Sequence, residues 1–279
     1  MIDTSRFALN RVPPAIAGSA AIHVAALASL AAEWGNWPGA LAAVAANHAV
    51  LATVCMSPRS RLLGPNIRCA PGPARARGEV ALTFDDGPDP VGTPRVLDIL
   101  DRHGATASFF CIGSRAARDP GLVREIAARG HSVENHTFRH QNSFAFRWPA
   151  GLALEIGRAQ ELLAGLAGSA PIFFRAPMGI HGPWLQPVLA RFGLSLVSWT
   201  RRGYDGVPAN ADAVLARLRH GLAAGDILVL HDGGPSDGRA AVETLPRLLG
   251  AMTDRGLNAV SLRRCFSPAP AGAETRSAA

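Results

Sequence analysis

Four short stretches of this 279-residue chain carry side chains that bind cations or move protons. Thr83-Phe84-Asp85-Asp86-Gly87-Pro88 ends a β-type run on two adjacent carboxylates. Neighbours on an extended chain point to opposite sides, so one can hold a cation while the other stays free as a base. His136 and His140 are four apart, and on one helical turn that spacing puts both rings on one face, as a metal needs. Arg175 opens the constrained turn Arg175-Ala176-Pro177-Met178-Gly179, and fixed beside a carboxylate base it would keep that base ionised and oriented. His231-Asp232 closes the apolar run Leu228-Val229-Leu230 and offers a general acid. Each stretch alone has a simpler reading: a turn, a surface or core histidine pair, a solvated arginine, a structural histidine. Together, one carboxylate and two imidazoles make a facial site with open positions for water and substrate.

Such residues need a rigid frame, and the sequence around them supplies one. Short β-branched or aromatic runs at 79–84, 106–112, 131–134, 172–174, 195–199, 226–230 and 257–260 predict strands. Helices are predicted near 93–103, 120–129, 149–167, 183–192, 210–223 and 239–255. Repeated β-then-α units imply a parallel sheet, closed into a barrel or left open, with sites at the carboxyl ends of its strands. The reactive stretches fall at those ends.

Residues 1–56 have another character. Ala15 to Ala32 and Trp37 to Met56 are Ala-rich apolar runs, each long enough to cross a hydrocarbon core, with Trp34 and Trp37 near the break between them. They predict an apolar helical hairpin that anchors the chain in a membrane; the alternative is a helix pair packed on the soluble domain. Arg6, Arg11, Arg59, Arg61 and Arg68 flank the hairpin and none lies in its turn, which puts both ends on the cytoplasmic side of a bacterial inner membrane, with the periplasmic side as the alternative. Residues 57–78, rich in Pro, Gly and Arg, read as a linker, 79–266 as the main domain, and 267–279 as a disordered tail.

The formal charge of +7 comes from 28 basic residues, all arginine, scattered through predicted helices rather than set beside aromatics. That distribution excludes a groove that tracks nucleic-acid phosphates, so no nucleic-acid partner is expected. Cys55, Cys69, Cys111 and Cys265 form no metal-binding or paired spacing.

From Glu79 to about Arg264 the chain resembles the NodB-homology domain of the polysaccharide deacetylases, carbohydrate esterase family 4. The stretches at Thr83–Pro88, His136–His140, Arg175–Gly179 and Leu228–Asp232 match that family's motifs in order. The resemblance implies an α/β fold, a distorted (β/α) barrel with fewer strands than eight, preceded here by the helical hairpin. It implies a hydrolase that removes N-acetyl groups from amino sugars of a polysaccharide, oligosaccharide or glycolipid. Asp86, His136 and His140 would hold a divalent metal, Zn²⁺ first and Co²⁺ as the alternative. Asp85 would be the base, Arg175 its support, and His231 the acid, oriented by Asp205. The Met178 N–H would help hold the oxyanion, and Leu228 and Leu230 would border the acetyl methyl, with Trp199 also on the substrate side. The chain departs from the pattern at Arg202-Gly203-Tyr204-Asp205-Gly206, where the first aspartate and the tryptophan of Asp-x-x-Asp-Trp are missing. Competing readings are an O-acetyl esterase, a deacylase of lipid-linked sugars, and a non-catalytic carbohydrate-binding protein. The other histidines are read as structural or solvated, although His181 follows the Arg175 turn closely enough to reach substrate.

Overall fold

The computed structural model describes residues 12–207, 209–235 and 237–268, so Arg6, Arg11 and most of the expected tail lie outside it. Helices α1 (Pro14–Ala32) and α2 (Trp37–Cys55) are joined by a 3₁₀ turn at Trp34–Asn36. Nineteen residues span about 28 Å as a helix, close to a hydrocarbon core. No residue of α1 is buried, and only Ala40, Asn47 and Val54 of α2 are, so this is not a pair sunk into a soluble core. The polar interruptions meet between the helices, where Asn47 donates to Ser19 Oγ at 2.8 Å and the rings of His23 and His48 lie 5.3 Å apart.

Among the described residues the domain has eight strands, one more than expected because the two-residue strand Arg201–Arg202 shows no sequence pattern: β1 (Glu79–Asp85), β2 (Ser108–Cys111), β3 (Ser132–Asn135), β4 (Phe173–Phe174), β5 (Ser195–Leu196), β6 (Arg201–Arg202), β7 (Ile227–His231) and β8 (Asn258–Val260). All their pairings are parallel, in the order β5-β4-β3-β2-β1-β7-β6, with β8 on β1. The sheet curls as the distorted barrel expected. β1 is buried along its whole length, as a parallel strand covered on both faces must be. Its residues alternate: Val80, Leu82 and Phe84 enter an outer cluster with residues of the covering helices, while Ala81 enters an inner cluster with Phe110, Phe173, Val197 and Ile227. Thr83 and Asp85 continue the inner line to the rim.

The six expected helices are present: α4 (Gly92–Arg102), α6 (Pro120–Ala128), α7 (Pro149–Ala167), α8 (Leu185–Arg191), α9 (Ala211–Arg219) and α10 (Arg239–Thr253). Asp119, Asn210 and Ser261 cap α6, α9 and α11 (Leu262–Phe266) through their side chains. Helices α3 (Gly72–Ala76), α5 (Gly113–Arg118) and α11, and strand β6, were not expected; each is too short to show a period.

Residues 57–78 are more than a linker. The ends of the sheet, β5 and β6, do not pair, and this segment fills the seam. Ile67 N–H donates to Leu196 O at 2.9 Å, Ser198 N–H to Ile67 O at 2.8 Å and Ala70 N–H to Gly225 O at 2.8 Å. Leu63, Ile67, Ala70 and Ala74 are buried, the last three with Leu262 and Cys265 of α11 in the inner cluster. The hairpin is therefore tied to the domain by structured chain.

Candidate active site

A cavity of about 290 Å³ opens at the carboxyl ends of the strands, lined by Asp85, Asp86, His136, His140, Met178, Trp199, Arg202, Tyr204, Val207 and His231 among others. Its geometry comes largely from the backbone. Five non-glycine residues of these loops sit in the left-handed region: Asp86 (φ 71°), Thr137 (66°), His140 (50°), Met178 (57°) and Tyr204 (58°). Such a conformation costs about 1–2 kcal/mol per residue, so the surrounding packing must enforce it. Gly87 allows the Asp86 turn, because a Cβ there would collide with the carboxylate of Asp232.

Asp86, His136 and His140 each aim one ligand atom at a common point, all within 4.8 Å of one another. Both Nε2 atoms are 3.4 Å from Asp86 Oδ1. The histidines are not on a helical turn, as their spacing suggested, but on an irregular loop. Asn135 Oδ1 accepts from Thr137 N–H at 3.0 Å, Thr137 Oγ1 accepts from His140 N–H at 2.9 Å, and Glu155 of α7 accepts from Arg139 N–H at 2.8 Å. These bonds bring the rings to 4.7 Å. His136 Nδ1 lies 2.8 Å from Arg175 O; donation to that carbonyl leaves Nε2 with its lone pair toward the cluster, the tautomer a metal requires. Burial pushes the Asp86 pKa up, but His136 and then His140 beside it hold it below the usual carboxylate range. Burial and then the charge of His136 bring His140 down to about 4, so it is neutral at pH 7. Asp86 Oδ1 is buried without a hydrogen-bond partner among the described residues. An anionic oxygen, otherwise unsatisfied, and two imidazole nitrogens facing it fit a divalent cation.

Beside this cluster stand two proton-handling pairs. Arg175, fully buried, donates from Nη1 to Asp85 Oδ1 at 2.6 Å and to Thr83 Oγ1 at 2.8 Å. Its Nε and Nη2 reach the carbonyls of Val197 and Ser198, and its guanidinium lies 4.1 Å from the Phe110 ring centroid. Asp205 is buried and holds His231 twice, Oδ2 accepting from the backbone N–H at 2.8 Å and Oδ1 lying 2.9 Å from ring Nδ1. Burial lowers the His231 pKa, but the bond and charge of Asp205 outweigh it, and the net shift is upward.

Residues 73–197 match a family model described as polysaccharide deacetylase. A chitooligosaccharide deacetylase of Sinorhizobium fredii is 39% identical over 205 residues, covering 68% of this chain and 93% of that protein. The chain belongs to the polysaccharide deacetylase family. The crystal structure of a peptidoglycan N-acetylglucosamine deacetylase superposes with a TM-score of 0.66 at 31% identity, over 73% of this chain and 94% of the other. A family 4 acetyl xylan esterase from Clostridium thermocellum, solved with a cobalt ion, gives 0.62 at 31% identity, over 67% and 90%. As a polysaccharide deacetylase of this family the chain is a hydrolase.

The cavity thus gathers Asp85, Asp86, His136, His140, Met178, Trp199 and His231 of this deacetylase, with Arg175 and Asp205 directly behind. It does not gather Leu228 and Leu230. Both are fully buried in the outer cluster, because His231 points inward and its strand neighbours at odd separation must point the other way. The apolar lining of the deacetylase cavity comes instead from Met178, Trp199 and Val207. His181 is not available to substrate; it is 1% exposed, with Nδ1 3.3 Å from Gly179 O and its N–H donating to Cys55 O at the end of α2. Asp232, to which no role was given, is buried, accepts from Thr93 Oγ1 at 2.5 Å and underlies the Asp86-Gly87 turn; burial pushes its carboxyl up to about 7. Ser198 was also missed, its hydroxyl bound to Pro58 O and Asn66 Oδ1 and its carbonyl to Arg175. A lone serine within a predicted strand run, 195–199, gives no signal of that role.

Proposed function

We propose that this protein hydrolyses the N-acetyl group of an amino sugar, with Asp85 as base, His231 as acid and a divalent cation, Zn²⁺ or Co²⁺, on Asp86, His136 and His140. The single observation that carries the reading is the occurrence in one cavity of a three-ligand cluster, an arginine-braced carboxylate and an aspartate-braced histidine. A binding module needs no such division of labour. The bound cation would supply Lewis acidity, lowering the pKa of water and drawing charge from a carbonyl oxygen. Arg175 occupies Asp85 Oδ1 and fixes the carboxylate, which still lines the cavity and can accept the proton of the attacking water. Asp205 fixes the His231 ring, so that Nε2 can donate to the departing nitrogen, a transfer that an amide requires. Met178 stands at the lip with its backbone strained, where its N–H would meet the developing oxyanion.

The test is acetate release by purified protein from N-acetylated oligosaccharides, with an acetyl ester beside them to detect O-deacetylation. It should extend across pH. His231 acts in its protonated form, so activity is present below its raised pKa and is lost as pH rises through it. In Asp205→Asn that alkaline limb should move to lower pH, and kcat should fall ~10²–10⁴-fold, the usual worth of acid–base help. A limb that stays in place would separate His231 from proton donation.

The hairpin anchors the enzyme in the inner membrane with the domain on the cytoplasmic side. Its helices are long, apolar and exposed, and Trp34 and Trp37 mark one end. At the other end Met56 of the hairpin base borders an apolar groove with the exposed Phe146, Trp148 and Trp184, a second set of aromatics where an interface would lie. A C-terminal reporter should be active in the cytoplasm and silent in the periplasm; periplasmic activity reverses the orientation.

A further inference from the structure

The two arginines of β6 meet opposite fates. Arg201 faces outward, its Nε bound to Asp226 Oδ2 at 2.6 Å and its terminal nitrogens to the carbonyls of His220 and Gly221. Arg202, the next residue, faces the other way and lines the active-site cavity. Its guanidinium lies 5.1 Å from the ring centroids of both Trp199 and Tyr204. Among the described residues it has no ion pair and no hydrogen bond, and its Nε is buried without a partner. It also stands close enough to Arg175 for the two charges to oppose each other. Arg175 is neutralised by Asp85 and His231 is paired with Asp205, so Arg202 is the cavity's uncompensated cation among the described residues.

A half-buried guanidinium held between two rings has lost solvation and gained no acceptor, an arrangement that favours an incoming oxyanion. Its planar fork suits the two oxygens of a carboxylate or phosphate, and the two rings preset its orientation. The cavity, about 290 Å³, is at the small end of ligand pockets, so a sugar whose acetamide reaches the cluster keeps its nearby ring substituents within the same space as Arg202. A neutral, unsubstituted oligosaccharide offers this side chain no acceptor of matching charge.

We propose that Arg202 selects amino sugars that carry an oxyanion, a carboxylate or a phosphate ester, on a ring carbon near the acetamido group. This rests on the deacetylase reading and narrows its substrate class. Acetate release is to be compared for N-acetylmuramic acid, N-acetylglucosamine 1-phosphate and neutral N,N′-diacetylchitobiose, using the full-length protein, Arg202→Gln and Arg202→Lys. Wild type should prefer at least one charged sugar over the neutral one, and the leading substrate identifies the anion as carboxylate or phosphate. Arg202→Gln, which keeps a planar group beside the rings, should lower the charged-to-neutral ratio of kcat/KM ~10–100-fold, the worth of a charge-assisted hydrogen bond, chiefly through KM. Arg202→Lys should restore part of the ratio, and a folded lysine variant keeps the test alive should the glutamine variant misfold. Equal or better turnover of N,N′-diacetylchitobiose by wild type, or a ratio unchanged in Arg202→Gln, overturns the proposal and leaves the deacetylase reading standing. No acetate from any substrate by metal-loaded wild type removes that reading, and this one with it.

Discussion

Asp86→Ala is expected to give a folded protein that neither retains a divalent cation nor releases acetate. The carboxylate supplies the anionic ligand of three, and its Oδ1 is the point on which both imidazole nitrogens converge at 3.4 Å. Without it two imidazoles remain, both on a loop that the bonds made by Asn135, Thr137 and Glu155 hold in place whether or not a cation is present. Losing a group that merely hydrogen-bonds a ligand costs ~10–100-fold in affinity, and losing the ligand itself must cost more. Stability at neutral pH should fall only modestly: His136 and His140 hold this carboxylate below its usual range in the folded state, so its charge favours the fold, but Oδ1 gives up no hydrogen bond among the described residues. Metal analysis of the dialysed protein, a thermal melt and the acetate assay decide the matter. A variant that keeps stoichiometric metal would move the cation site elsewhere, and one that lost metal but kept activity would end the metal-dependent reading.

The same residues show what a sequence can and cannot disclose. Asp85-Asp86-Gly87 was legible because a buried strand that ends on two carboxylates and a glycine has few other uses, and the alternation that separates the two roles is a property of any extended chain. His136 and His140 were legible as a pair but not as a geometry. Their spacing fits a helix, whereas the structure uses two left-handed residues, Thr137 and His140, stabilised by side chains of Asn135 and Glu155 that no local pattern marks. Leu228 and Leu230 failed for the opposite reason. They alternate properly, but an apolar residue facing the outer helices looks the same in sequence as one facing the cavity, and only the inward direction of His231 fixes the parity. Residues 57–78 failed because seam closure uses single backbone bonds and isolated buried side chains, Leu63 and Ile67 among them, within a Pro- and Gly-rich stretch that has no period.

Arg175→Met should destabilise the domain by ~3–5 kcal/mol and abolish turnover together, and a second substitution should separate these effects. Arg175 is the largest fully buried side chain among the described residues, and Asp85 beside it is only 5% exposed. Removing one partner of a buried ion pair leaves the other charge desolvated and unpaired, which is what costs this much. The carbonyls of Val197 and Ser198 lose a donor in the same step. For a domain of this size each kcal/mol shifts Tm by ~2–4 °C, so the melt should fall by roughly 6–20 °C. Adding Asp85→Asn to Arg175→Met removes the stranded charge and should recover a large part of that loss, as coupling between contacting residues requires. Activity should not return, because the double variant has no base. A melt of Arg175→Met like that of wild type would mean that Asp85 does not depend on this arginine. Recovery of stability without turnover would assign the pair its two tasks, with Arg175 making a buried carboxylate tolerable and Asp85 using it.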